Sequence, residues 1–138
     1  MTHLRHLPTL TLDAAKAIAA AAEAFALARG WTVAVAVVDA AGGLILFQFQ
    51  DDTQPGSQEV ALHKARTAAR FKRPTKALEQ SVAGRQALLS LPGVTAVEGG
   101  VPITVDGRVI GAVGVSGMQS SQDSEVAEAG LAAFRPER

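Results

Sequence analysis

The stretch that decides the fold runs from Gly99 to Gly130 and reads GGVPITVDGRVIGAVGVSGMQSSQDSEVAEAG. Near its middle, Asp106-Gly107 separates two alternating apolar runs. This dipeptide is typical of a type I′ turn, which needs a positive φ at both central residues. The stretch therefore predicts an antiparallel hairpin that is followed by a glycine-rich exit and a helix.

The helix at the end of this stretch is predicted over 122–134. Ser120 or Ser121 is the expected N-cap, because a hydroxyl at that position accepts a bond from a free backbone N–H group. Asp123 then lies in the first turn, where the helix dipole favours a negative charge.

Upstream of the hairpin, apolar periodicity and breaker residues predict a helix, two consecutive strands and then further helices. The predicted elements are a helix between the cap Thr11 and Gly30, strands over 31–38 and 44–50, a helix over 58–72 and short helical pieces over 75–91. Three strands are predicted between these pieces and the last helix, and Glu98 lies on the first of the three.

This order of elements indicates an α+β fold. Strands that follow one another as hairpins, with helices before and after them, favour a profilin-like antiparallel sheet flanked by helices. We predict a single domain over 1–138, in which residues 1–10 form an extended N-terminal lead.

Composition excludes several classes of function. The 138 residues carry 13 Lys and Arg against 13 Asp and Glu, so the formal net charge is zero and there is no basic footprint for nucleic acid or an anionic membrane. Without cysteine the chain forms no disulfide, thiol nucleophile or thiolate metal site. There is no signal-peptide pattern and no apolar run long enough to span a membrane, which predicts a cytoplasmic protein.

The second predicted helix carries a lysine on its apolar side. At about 100° per residue, Lys64 falls within the arc that also contains Ala61, Ala65 and Ala68. Burial lowers the pKa of a lysine unless an acid pairs with it. Two readings stay open: the amine reaches the rim on its aliphatic stem, or it lies in a pocket where it binds a carboxylate or polarises a carbonyl.

The opposite side of this helix carries a basic stripe. It consists of His63, Arg66, Arg70 and Arg73. Such a stripe is typical of a solvated or interface face, and its functional reading is a docking site for acidic ligand groups such as porphyrin propionates.

Glycines and acids complete the set of candidates. Gly111, Gly114 and Gly117 recur every third residue, a spacing that fits neither a dinucleotide fingerprint nor one face of a strand. Glycine in a strand often marks a close approach, here by another subunit or by a ligand, and Gly99-Gly100 has the same two readings. The candidate acids are Asp39, a turn residue, and Glu98 and Asp123. No metal-binding cluster is predicted.

Three blocks of the sequence resemble the GlcG/HbpS family, which includes haem-binding-protein-like domains and the C-terminal domain of PduO proteins. The blocks are VVDAAGGLI, ALHKARTAARFKRPT, and GGVPITVDGRVIGAVGVSG followed by QDSEVAEAG. The resemblance implies an antiparallel sheet flanked by helices and assembly into dimers or larger oligomers such as octamers. It also implies haem, another tetrapyrrole or a small metabolite as the ligand, and Lys64 matches the family's lysine.

Three functions follow as hypotheses. The first is an oligomeric binding protein with its ligand in a cleft near a subunit interface. The second is a catabolic enzyme that uses Lys64 as electrophile, base or anchor, with Glu98 or Asp123 as proton carrier. The third is a non-catalytic accessory subunit. The residues predicted for ligand binding are His63, Lys64, Thr67, Gly99, Gly100, Ser116 and Gly117.

Overall fold

The computed structural model describes residues 2–136 of the chain. Within that range the chain forms four α-helices, one 3₁₀ helix and four strands. They are α1 Leu12–Ala28, β1 Ala34–Asp39, β2 Leu44–Phe49, α2 Ser57–Arg70, α3 Thr75–Val82, the 3₁₀ helix Gln86–Ser90, β3 Gly100–Val105, β4 Arg108–Ser116 and α4 Ser120–Leu131.

The four strands form one antiparallel sheet in the order β2-β1-β4-β3. The first strand, β1, lies between β2 and β4, and its residues from Ala34 to Val38 are all buried. This explains the nearly continuous apolar run, because an inner strand covered on both faces has no solvent side. The predicted α+β fold is confirmed.

The two faces of the sheet have different packing. Valines such as Val35, Val37 and Val113 join the larger core cluster under α1 and α4. On the other face, Ala34, Ala36 and Ala112 meet the alanines of α2. Small side chains on both sides let α2 lie close to the strands, and this close packing places Lys64 directly against the sheet.

Two predicted local features, the β3–β4 turn and the Thr11 cap, are present in the structure. Asp106 and Gly107 have φ angles of 50° and 77°, so the β3–β4 hairpin has the expected turn. Thr11 caps α1 by accepting a hydrogen bond from the N–H of Ala14 at 3.1 Å. The start of α4 differs from prediction by one or two residues: Gln119 is the N-cap, and its N–H donates to the side chain of Gln122 at 3.1 Å.

The three regularly spaced glycines have no common role. A Cβ at Gly111 would meet the backbone of Val38, and one at Gly114 would meet the backbone of α2. A Cβ at Gly117 would meet Thr32, and its φ of 151° also favours glycine. The close approaches at these glycines come from β1, α2 and the residues before β1 of the same chain. At these Cβ positions the neighbour is therefore this chain itself, where another subunit or a ligand was predicted.

The prediction of a strand that contains Glu98, before the C-terminal hairpin, is wrong. Residues 91–98 form turns and bends without strand pairing. The reason is that Thr67 binds this segment from α2: its hydroxyl accepts from the N–H of Thr95 at 3.0 Å, and its oxygen lies 3.3 Å from the carbonyl oxygen of Gly93. Strand structure begins only at Gly100.

Candidate functional site

Lys64 lies in the middle of α2 with its side chain on the sheet side, and it is 1% exposed. Its Nζ donates a hydrogen bond to the carbonyl of Val115 at 2.9 Å and lies 3.2 Å from Oδ2 of Asp123. This is the one ion pair within 4.0 Å among residues 2–136. Of the two readings for Lys64, burial excludes an amine at the rim.

Asp123 is the partner from the first turn of α4, and it is 2% exposed. Its Oδ1 accepts the N–H of Met118 at 2.9 Å. Burial raises the pKa of Asp123, while the nearby Lys64 charge and the hydrogen bonds from Met118, Lys64 and Gly117 act in the opposite direction. The N–H group of Met118, which follows the predicted binding residues Ser116 and Gly117, therefore binds the protein's own carboxylate. Ser116 itself donates to the hydroxyl of Ser57 at 3.1 Å.

Gly99 and Gly100 pack against the lysine. A Cβ on Gly99 would lie 2.7 Å from Lys64 Nζ, and one on Gly100 would meet the Lys64 carbonyl and lie 2.9 Å from Cγ2 of Thr75. The Thr75 hydroxyl also accepts the N–H of Gly100 at 2.8 Å. Both glycines are needed because larger residues would displace Lys64 or Thr75.

The two remaining predicted binding residues on α2 lie apart from this pair. His63 is exposed. Thr67 is fully buried, and besides its contacts with the 91–98 segment its hydroxyl donates to the His63 carbonyl at 2.7 Å. The hydroxyl of Thr67 therefore holds the fold and faces no open surface for a ligand.

The basic stripe of α2 reaches the β1–β2 turn. Nε of Arg66 donates to the carbonyl of Gly42 at 3.0 Å, and Nε of Arg70 donates to that of Ala41 at 2.9 Å. Within the turn, Oδ1 of Asp39 accepts the N–H groups of Ala41 and Gly43, as predicted for a turn residue. Two arginines of the stripe thus stabilise a turn.

An open groove lies beside the buried pair, and we call it the α4 groove. Its volume is about 720 Å³, within the range typical of small-molecule sites. Three chain segments form it together with Phe25 of α1: the start of α3, residues 98–101 and the exposed side of α4. Its lining residues are Phe25, Pro74, Lys76, Glu98, Val101, Ser121, Ser124, Glu125, Glu128 and Ala129.

The structure divides the three residues predicted for catalysis. Lys64 and Asp123 are buried together, whereas Glu98 lines the α4 groove. No open path to the Nζ of Lys64 follows from these contacts, since its neighbours are a carbonyl, a carboxylate and Gly99. The groove residues Lys76 and Glu125 were missed, because the surface joins segments distant in sequence and leaves no local pattern.

Two further features of the described chain bear on its class. No helix within residues 2–136 has the length and hydrophobicity needed to cross a bilayer. The same residues contain no group of three or more His, Cys, Asp and Glu side chains arranged to hold a metal ion.

The chain is an antiparallel α+β domain with a buried Lys–Asp pair beside an open groove. Comparison with known families identifies the family to which this domain belongs. The chain belongs to the HbpS-like family: the family model described as "Haem degrading protein HbpS-like" matches residues 10–132. The resemblance read from the sequence is confirmed.

Individual relatives agree with this assignment. The chain is 44% identical to protein GlcG of Escherichia coli K12 over 108 residues, which are 78% of this chain and 81% of GlcG. Its structure matches that of Klebsiella pneumoniae protein ORFY with a TM-score of 0.93 and 34% identity, over 100% and 99% of the two chains. It matches the PduOC:heme complex with a TM-score of 0.85 and 28% identity, over 93% and 96%.

Proposed function

We propose that this chain is a binding protein of the HbpS type that holds haem or a related tetrapyrrole in the α4 groove. The observation that carries the proposal is the groove itself, whose lining combines apolar side chains with one lysine and three glutamates at a volume suited to such a ligand. The family description and the haem complex of a relative support the choice of ligand.

The lining residues fit one face and one edge of a porphyrin. Phe25, Pro74 and Val101 offer apolar surface to a planar ring. Lys76 is the only cation in the lining, so it is the partner for a propionate carboxylate.

The donor set of the groove determines how an iron centre would be held. The ten lining residues include no His, Cys or Met, and their carboxylates are those of Glu98, Glu125 and Glu128. A haem bound there would therefore have a glutamate oxygen or the Lys76 amine as the available iron ligand in place of an imidazole or thioether, and we would expect the spectrum of a weakly ligated ferric haem.

Titration with hemin, followed at the Soret band, tests this function. We expect saturation at a fixed ratio of hemin to chain. Lys76→Ala should weaken binding by about tenfold, the loss expected for one charge-assisted hydrogen bond. Lys72→Ala is the matched control, because this exposed lysine lies outside the groove.

A further variant locates the ligand. His63→Ala should bind hemin as the parent does, since His63 is absent from the groove lining. An unsaturable response of the parent would contradict haem binding. Loss of binding in His63→Ala with unchanged binding in Lys76→Ala would contradict the α4 groove as the site.

We also propose that the chain assembles with itself, as the resemblance implied. Several large apolar side chains are exposed in this single chain, among them Leu27, Leu44 and Leu89. Exposed apolar surface is often covered by a partner, and a neutral chain has little charge repulsion to oppose association.

A further inference from the structure

The amine of the buried lysine is linked to two of the segments that form the α4 groove, residues 98–101 and α4, and the start of α3 packs on Gly100. Thr75 lies between the groove residues Pro74 and Lys76, and its side chain contacts Gly100, which in turn lies against the Lys64 backbone. Thus the start of α3 is attached to the centre of α2 through contacts that leave no room for a Cβ at residue 100.

After the start of α3, the second wall of the α4 groove is formed by residues 98–101. Its groove residues Glu98 and Val101 flank Gly99 and Gly100, and Gly99 lies directly on the Nζ of Lys64. The carbonyl of Gly99 accepts the N–H of Val115 at 3.0 Å, and the carbonyl of Val115 accepts from Lys64. The amine and the end of β4 therefore hold this wall from behind.

The third wall is α4. Asp123 lies between the groove residues Ser121 and Ser124, and its carboxylate joins Lys64 on one oxygen and the N–H of Met118 on the other. The side chain of Asp123 is buried while its neighbours Ser121 and Ser124 face the groove. The ion pair and the Met118 hydrogen bond thus hold the buried side of the first turn of α4.

We propose that Lys64 is a positioning residue for the ligand: paired with Asp123, it holds two walls of the α4 groove, residues 98–101 and the first turn of α4, at the separation that the ligand requires. This inference rests on the proposed function. It assigns Lys64 no contact with ligand, because its amine is enclosed by Val115, Asp123 and Gly99.

Two readouts test the inference in the full chain. The first is amide hydrogen exchange at residues 98–101 and 120–125, which needs no ligand. The second is the dissociation constant for hemin. Lys64→Met should accelerate exchange in both segments and raise the dissociation constant by about 10- to 100-fold, as when the group that orients a ligand-binding residue is lost.

A double variant separates positioning from stability. Replacing a buried ion pair by apolar residues is often neutral for folding, so Lys64→Met with Asp123→Leu should recover the unfolding midpoint that Lys64→Met alone loses. Binding should stay weak in the double variant, because the polar contacts that orient α4 are still absent. Full recovery of binding would overturn the inference, since stability alone would then explain the loss.

Leu46→Ala is the matched control. It truncates a partly buried residue of β2, at the edge of the sheet opposite β3, and should lower stability without affecting either groove segment. Unchanged exchange in Lys64→Met would overturn the inference. If the parent chain fails to bind hemin, the proposed ligand is wrong, and the exchange experiment still decides whether Lys64 holds the groove walls.

Discussion

At the scale of single residues, the buried Lys64–Asp123 pair is the feature whose free energy depends most on its exact contacts. Moving two charges out of water costs free energy, and their attraction offsets that cost only where hydrogen bonds satisfy the remaining groups. Here a carbonyl accepts from the amine, and a backbone N–H donates to the carboxylate. Removing one partner would leave an uncompensated buried charge and cost about 3–5 kcal/mol of stability.

The raised pKa of Asp123 predicts a specific dependence of stability on pH. Because its pKa in the folded protein lies above the ordinary value of 3.8, the native state binds more protons than the unfolded state between the two values. The contribution of this carboxyl to stability is therefore present below 3.8 and is lost as pH rises through the folded pKa. Urea unfolding across about pH 3 to 7 measures this loss as the difference between the parent and a variant that lacks the carboxyl.

Asp123→Asn is the comparison for that measurement, since an amide does not titrate. The difference in unfolding free energy between parent and variant should shift in favour of the variant as pH rises from about 3 to 7. A difference that stays constant over this range would contradict the raised pKa of Asp123.

Gly100 tests the packing around the lysine. Gly100→Ala would place a methyl group against the Lys64 carbonyl and Thr75, and we expect a loss of about 1–3 kcal/mol, typical of overpacking. Gly84→Ala is the matched control, because nothing lies within 4 Å of a Cβ there. Thermal unfolding measures both. Equal midpoints for the two variants would show that residue 100 tolerates a side chain.

At the scale of elements, helix α2 organises the rest of the chain. Its alanines pack on the sheet, Lys64 reaches β4 and α4, and Arg66 and Arg70 hold the β1–β2 turn. Thr67 adds the connection that replaces the predicted strand before β3. One helix thus contacts the rest of the chain through its alanines, a buried lysine, a buried threonine and two arginines.

Thr67→Val tests the connection to the segment before β3. Valine keeps the shape of threonine but removes the hydroxyl that accepts from the N–H of Thr95 and donates to the carbonyl of His63. We expect a loss of about 0.5–1.5 kcal/mol, because the partly buried N–H of Thr95 loses its acceptor. Amide hydrogen exchange should show faster exchange at Thr95. Unchanged protection there would mean that another group holds this segment.

At the scale of the whole molecule, apolar residues remain on the surface of a chain with no net charge. Leu89 of the 3₁₀ helix is 60% exposed. If self-association covers this side chain, Leu89→Glu should shift sedimentation velocity profiles towards smaller species, because a charge buried without a partner is costly. Leu4→Glu, in the N-terminal lead, is the control. A parent chain that sediments as a monomer would contradict self-association.

Much of the fold was predictable because its signals are local. The apolar run of β1, the Asp106-Gly107 turn and the Thr11 cap each depend on a few neighbouring residues, and each formed as expected. Helical periodicity placed Lys64 on the buried side of α2, where the structure has it. The order of helices and strands then restricted the chain to an antiparallel sheet with helices on its faces.

Only the tertiary structure decided which groups meet. The acid that pairs with Lys64 lies 59 residues further along the chain, and no pattern in the sequence distinguishes Asp123 from Glu98 as its partner. The strand expected at Glu98 was lost because a hydroxyl from α2 competes for the backbone of the preceding residues. The α4 groove joins α1, α3, residues 98–101 and α4. Sequence patterns report what lies a few residues away, whereas a pocket depends on contacts between segments that only folding brings together.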